Sequence, residues 1–205
     1  MRISEKEVRG KRTFVPRAML RTNQSFLDRA KQLYDQQERK DAIVVRHYRK
    51  GQHLFHQDEP STKVMVISRG IAKCYFTEAN DKVYIVEFLS TGEIVGEIEC
   101  IRNISCLCSV QAMTEVTVYA FSLPYFRCLL NQDIVLSNKL LEVMAQRIVQ
   151  TSSRASYQQL YTLAHSLSRL LQMQSQLRIT ISKEDMAAYL GISVRSLNRE
   201  LNKVH

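Results

Sequence analysis

The feature that most limits the fold is a change of period near Pro124. Upstream, from about residue 42 to 122, the chain never keeps a helical repeat. Short segments at 43–48, 53–55, 64–68, 71–77, 83–89, 107–112 and 117–122 are instead rich in β-branched and aromatic residues. They are separated by Lys50-Gly51, Asp58-Glu59-Pro60, Arg69-Gly70, Asn80-Asp81 and Thr91-Gly92, all of which favour turns. Asn80-Asp81 also tolerates the positive φ that a two-residue hairpin turn requires. Strands this short and closely spaced predict a small antiparallel barrel or jelly roll with an inner space of ligand size. Beyond Pro124 apolar residues recur at helical steps. The periods therefore predict an α+β chain, an antiparallel β-roll followed by helices.

Within the helical half, residues 133–163 carry Leu141, Met144, Ile148, Thr151, Ala155 and Gln158 at steps of three and four. Such a seam, on a helix already packed on its own roll, predicts a second chain and a parallel homodimer. The competing view buries the same residues inside one monomer. A further helix over 164–173 brings Leu167, Leu170 and Leu171 toward the C-terminal unit, preceded by a short strand over 178–181.

Residues 182–204 read as two helices with a tight turn. Ser182 caps the first, with Asp185 as its capping-box partner. Ala187 and Ala188 leave room for a close neighbour, and Gly191 supplies the left-handed residue that ends the helix. Ser193 caps the second helix, whose apolar side is Leu197, Leu201 and Val204. With Ser193, that leaves Val194, Arg195, Ser196, Asn198, Arg199 and Lys203 off the core. Arginine can grip guanine and asparagine adenine through paired hydrogen bonds in the major groove. Val194 could meet a thymine methyl, Arg195 a phosphate or guanine, and Arg199 a guanine. The pattern predicts a helix-turn-helix that binds double-stranded DNA. The alternative is a plain helical hairpin with solvated Arg and Asn.

Charge supports the first reading: the 205 residues carry a formal net charge of +9, a balance suited to a polyanionic partner. No apolar run approaches the roughly 18 residues of a membrane span, and no secretory signal precedes the first helix. A cytoplasmic protein with no membrane contact is expected. Cys74, Cys100, Cys106, Cys108 and Cys128 form an odd set without a CxxC pair, which predicts reduced, mostly buried thiols over a disulfide framework. The organisation expected is a flexible basic arm over 1–24, a β-roll sensor domain over 25–130, a dimerisation helix over 131–163 and a DNA-binding unit over 164–205. The first helix is expected to open at Ser25, with Phe26, Leu27, Ala30, Leu33 and Tyr34 as its apolar side.

Several short motifs occur in a telling order: Gly51 with His53-Leu54-Phe55, Ser68-Arg69-Gly70, Thr91-Gly92-Glu93, Gly96-Glu97, and Gly191-Ile192-Ser193 followed by Ser196 and Arg199. As a set they resemble the cyclic-AMP receptor protein and fumarate-nitrate reduction regulator (Crp/Fnr) family of bacterial transcription factors, over about 25–204. Gly96-Glu97-Ile98-Glu99, Val110-Gln111-Ala112 and Tyr189-Leu190-Gly191-Ile192-Ser193 resemble the YeiL-like branch most. The resemblance implies a β-roll sensor, a long dimer helix and a winged helix-turn-helix that binds promoter DNA and can contact RNA polymerase. The wing should follow Val204, whereas the sequence ends at His205; an incomplete sequence is expected rather than a wingless protein.

Departures from the family speak to the signal. In nucleotide-binding members a Gly-Glu pair opens a short helix and an Arg-Ser pair then holds the phosphate. Gly96 and Glu97 stand here, but Cys106 and Leu107 occupy the Arg-Ser positions, and Glu97 and Glu99 add negative charge. Arg102 lies nearby without matching the cation's place. Thr151 and Ser152 resemble the pair that reaches the base, although small polar residues in a seam can be plain packing. The effector is therefore open, and a cyclic nucleotide is disfavoured. An iron–sulfur cluster is disfavoured too, because the arm has no cysteine. Cys106 and Cys108 could form a thiol switch if one thiolate were exposed and stabilised; buried packing is the default. In the recognition helix, Val194-Arg195 replace the receptor's Arg-Glu while Arg199 matches, so a different operator is implied.

Jelly rolls also host enzymes, and His47, His53 and His56 with Asp58 and Glu59 superficially suggest a metal-dependent cupin. On one strand, residues three apart point to opposite faces, and no histidine follows until His165. No enzyme, catalytic residue or metal site is expected. A ligand-binding roll that only dimerises, without DNA, is the other reading. The mechanism expected is a signal near Glu97, Cys106 and Cys108 that alters how two long helices meet around 148–155.

Overall fold

A computed structural model describes residues 20–38, 41–177 and 179–204. Most of the basic arm lies outside the described residues. Its last part does not behave as an arm: Leu20–Arg21 form strand β1 beside Phe88 and Leu89, and the Asn23 amide donates to the Thr91 carbonyl. Helix α1, Gln24–Gln36, is capped by Asn23, whose side chain accepts from the Phe26 amide at 3.0 Å. Ser25, the expected cap, is already inside the helix and donates to Asn23. Asx residues satisfy the orphan amides as well as serine does, so either could have served.

The roll follows as β2 Ile43–Tyr48, β3 His53–Phe55, β4 Lys63–Arg69, β5 Ala72–Thr77, β6 Val83–Leu89, β7 Ile94–Val95, helix α2 Glu97–Arg102, β8 Ser109–Ala112 and β9 Val116–Ser122. Two sheets form, in the orders β1-β6-β5-β8-β3 and β2-β9-β4-β7, antiparallel except for the β1–β6 pair. β4 is buried on both sides. Met65 and Ile67 fill the roll interior with Cys74, Val110 and Val118, while Val64 and Val66 lie under the helices with Phe26 and Phe126. That double burial explains its unbroken apolar run. The two-residue β7 had no period to announce it. β8 begins later than predicted because residues 106–108 are taken into a turn: Cys106 N–H donates to Glu59 O and Asp58 N–H to Cys106 O. The β5–β6 hairpin turns over 78–82, with Asp81 at φ 59°, rather than over two residues.

Helix α3, Leu123–Gln132, takes Pro124 in its first turn, where no amide is lost. α4, Ile134–Leu160, is the long helix, capped by Asp133. It buries Leu136, Leu140 and Val143 and leaves Ile134, Leu141 and Ile148 at 71, 63 and 68% exposure. It stops short of 163 because Tyr161 turns extended. Then come α5 Leu163–Leu177, α6 Lys183–Leu190 and α7 Val194–Val204. Leu167, Leu170, Met186 and Leu197 form a third cluster with Ile71, Ile85 and Phe88, so the last helices dock on the outside of the roll. The strand expected at 178–181 is irregular over its described residues, with the Ile181 amide held by the Gln174 side chain. Arg178 lies outside the described residues. A strand without a partner cannot persist alone. Among the described residues no helix is long and apolar enough to cross a membrane.

Candidate nucleic-acid interface and sensor site

Both caps of the C-terminal pair form. Ser182 Oγ accepts from the Asp185 amide at 3.0 Å, Gly191 takes φ 69°, and Ser193 Oγ accepts from the Ser196 amide at 3.1 Å. The reciprocal half of the first capping box does not: the Asp185 carboxylate pairs with Lys73 of β5 and ties α6 to the roll. Leu197 is fully buried and Leu201 partly so. Val194 differs from expectation. It stands three residues before Leu197 and seven before Leu201, on the same stripe, and packs partly against the third cluster. Arg195 and Arg199, one turn apart, are exposed beside the half-exposed Asn198, and none of the three has a hydrogen bond or ion pair among the described residues. The Ser193 hydroxyl donates to Ser196 Oγ at 3.0 Å, and the exposed Lys203 pairs with Glu200 at 2.9 Å. The helix thus presents two unshared cations and an amide.

At the roll, Gly96 caps α2 at φ 87°; a Cβ there would lie 2.6 Å from Lys63 O and 2.9 Å from Phe55 Cζ, so only glycine fits. Glu97 is 1% exposed and pairs with Arg147 of α4. The same guanidinium reaches Glu93 at 3.3 Å and donates to Ile94 O. Burial pushes the Glu97 carboxyl up against the pull of Arg147, whereas Glu97 and Glu93 keep the buried guanidinium protonated. Sequence reasoning missed Arg147. Its signal was one arginine four residues after Val143, on the side of α4 that faces the roll.

Cys106 is buried; burial and the Glu99 charge push its thiol up to about 11. A hydrogen bond with Cys74, together with burial, pushes Cys108 up as well. Neither meets the stabilised-thiolate condition for a switch. Leu107 exposes its side chain, and its amide donates to Glu99 Oε1 at 2.9 Å. Thr151 and Ser152 are exposed on α4, and Arg102 is exposed at the end of α2.

Two turns beyond Arg147, Arg154 bonds Ile85 O at 2.9 Å, Val86 O, and Tyr189 O at 2.6 Å, with its guanidinium 4.0 Å from the Tyr189 ring centre. Tyr189 also stacks on Phe88 at 5.0 Å. One helix therefore touches α2 with one arginine and the end of α6 with another. Along the expected seam, Leu141, Ile148, Thr151 and Ala155 are exposed, but Met144 turns partly into the roll's helical cluster. Of the exposed apolar residues on α4, Ile134, Leu141, Ile148 and Ala155 follow a seven-residue step, with Val135 and Val149 exposed beside that line.

The histidines do not split as predicted. β3 ends at Phe55, so His56 is free of strand alternation and its ring lies 4.2 Å from His53. His53 bonds Tyr75 at 2.8 Å, and His47 lies elsewhere, on Thr117. Among the described residues no three His, Cys, Asp or Glu side chains come together in a metal-binding group.

Comparison with known proteins follows the same outline. Residues 45–133 match the cyclic nucleotide-binding domain family. The chain is 25% identical over 152 residues to the regulatory protein YeiL of Escherichia coli O157:H7, covering 74% of this chain and 69% of that protein. A Crp/Fnr-family regulator from Eubacterium rectale superposes with a TM-score of 0.72 at 16% identity, over 85% of this chain and 82% of the other. The c-di-GMP-responsive regulator CLP of Xanthomonas campestris superposes with a TM-score of 0.67 at 18% identity, over 80% and 87% of the two chains.

Proposed function

Because the chain has the fold of the Crp/Fnr transcription regulators, we propose that it is a cytoplasmic, homodimeric regulator that reads a near-palindromic promoter site. The single observation that carries this is the face of α7. Its apolar side is locked into the third cluster while Arg195, Asn198 and Arg199 stand unshared, on a chain of net charge +9. Arg199 and Asn198 read bases, and Arg195 anchors a phosphate or a guanine. Ser193 and Ser196 fix the helix entry, and Lys203 adds charge at its far end. Val194 positions the helix and has little freedom to meet a base.

Two copies pair through Ile134, Leu141, Ile148 and Ala155 of α4, with Thr151 beside them. Pairing sets the two recognition helices one DNA turn apart, about 34 Å. The route for a signal runs from α2 through Glu97 to Arg147, along two turns of α4 to Arg154, and on to Tyr189 at the end of α6. RNA polymerase is the protein partner proposed at the promoter, on the family resemblance.

The test is fluorescence anisotropy of the dimeric chain on promoter fragments across a salt series. Each phosphate neutralised steepens the fall of log affinity with log salt by about 0.9. Tight binding to some fragments, collapsing as salt rises, is expected. Binding that ignores salt, or no binding to any fragment, refutes the reading.

A further inference from the structure

The domain type over 45–133 implies an anionic ligand, and the residues here do not fit one. The backbone ties that hold the 103–108 turn are made within the chain: Ile104 N–H to Glu99 O at 3.3 Å, Cys106 N–H to Glu59 O at 2.9 Å, Asp58 N–H to Cys106 O at 2.8 Å, and Leu107 N–H to Glu99 Oε1 at 2.9 Å. The last is a charge-assisted bond accepted by a buried carboxylate, 9% exposed. Nearby, Arg147 is committed to Glu97, Glu93 and Ile94 O, while Arg102 points to solvent.

We propose that Glu99 is the roll's own anion: it closes the α2–β8 turn from within, so that the sensor domain is set without a phosphate-bearing ligand. Any such ligand would have to displace Glu99 from Leu107 and then sit beside its charge. At about 4 Å, with an effective dielectric near 20, that repulsion costs on the order of a thousandfold in affinity. Glu99 stands on the same short helix as Glu97, so the turn it holds is coupled through Arg147 to α4 with no effector bound. The regulatory consequence, DNA binding that needs no cyclic nucleotide, rests on the function proposed above; the closed turn does not.

The experiment uses the full chain, freed of small molecules, and reads exchange of the Leu107 amide by mass spectrometry. Glu99→Ala should raise that exchange about tenfold or more, and acetate in the tens of millimolar should slow it again by replacing the lost carboxylate. Glu99→Gln keeps an oxygen acceptor without charge and serves if the alanine variant fails to fold; an intermediate rate is expected. Calorimetric titration of the native chain with cyclic AMP, cyclic GMP and c-di-GMP should show no heat of binding at micromolar concentration. Unchanged Leu107 exchange in both variants, or micromolar binding of any of the three nucleotides, overturns the proposal. A chain that keeps a carboxylate-dependent Leu107 amide but binds no promoter fragment overturns the function reading instead.

Discussion

Ile148 tests the dimer most directly, because its cost can be worked from the monomer. The side chain is 68% exposed on α4, four residues from Met144 and seven from Leu141, and among the described residues it belongs to none of the three core clusters. Complete burial of an isoleucine is worth about 1.5–3 kcal/mol. With about two thirds of the surface still to cover, pairing should gain about 1–2 kcal/mol per copy. Both copies change in a symmetric dimer, so Ile148→Ala should weaken association by about 2–4 kcal/mol, or roughly 30- to 1,000-fold in Kd. Sedimentation velocity over a dilution series measures the shift. Circular dichroism and the thermal transition at low concentration should not move, since the monomer loses no buried contact. Leu141→Asp should go further and give monomers at any practical concentration, with loss of tight DNA binding. A Kd within about threefold of the parent for Ile148→Ala would refute pairing through this face. A drop in monomer stability would show that the residue is buried in some other way.

Other substitutions probe the remaining links. Arg199→Ala should cost about 1–3 kcal/mol on the preferred promoter fragment and flatten discrimination among fragments, read by anisotropy at fixed salt. Arg147→Ala strands the buried Glu97 and should destabilise by about 3–5 kcal/mol in urea, while Arg147→Met with Glu97→Gln should recover much of that loss. Burial works to raise the Asp133 carboxyl, but the Leu136 amide and the Arg29 guanidinium overcome it and hold the group below its ordinary value of 3.8. A carboxyl lowered in this way stabilises the fold above its unfolded value, and the contribution disappears as pH falls through the folded one. Asp133→Asn, which keeps a capping oxygen, should therefore lower stability by about 1 kcal/mol at pH 7 and by progressively less as the solution is acidified. Under native conditions a thiol reagent should modify the exposed Cys128 first, with Cys100 and Cys106 protected until urea unfolds the chain.

Much of this molecule is legible in its sequence. Three strands begin and end where alternation and turn residues placed them, and the serine caps and left-handed Gly191 of the C-terminal pair are local chemistry that needs no distant partner. Harder to see were features whose cause lies far along the chain. Asp185 sits in a capping box by spacing, yet its carboxylate goes to Lys73, on a strand 112 residues away. Val194 looks free from its neighbours in sequence but shares the stripe that meets the third cluster. His56 escapes the face its spacing assigns because the strand ends one residue before it.

The sensor region divides in the same way. Its glycine and glutamates, and the missing Arg-Ser pair, were plain in the residues. That Arg147 would neutralise Glu97, and that Glu99 would bond the Leu107 amide, depends on how a long helix and a six-residue helix meet the turn. Sequence alone determined most of the elements, because φ preferences, caps and apolar period act within a few residues and are written there; the two-residue strands β1 and β7 needed their partners. Tertiary structure alone decided which charges are spent on one another and which remain for a partner. Charges act across space at a few ångströms, and only the folded chain brings residues 97 and 147, or 154 and 189, that close.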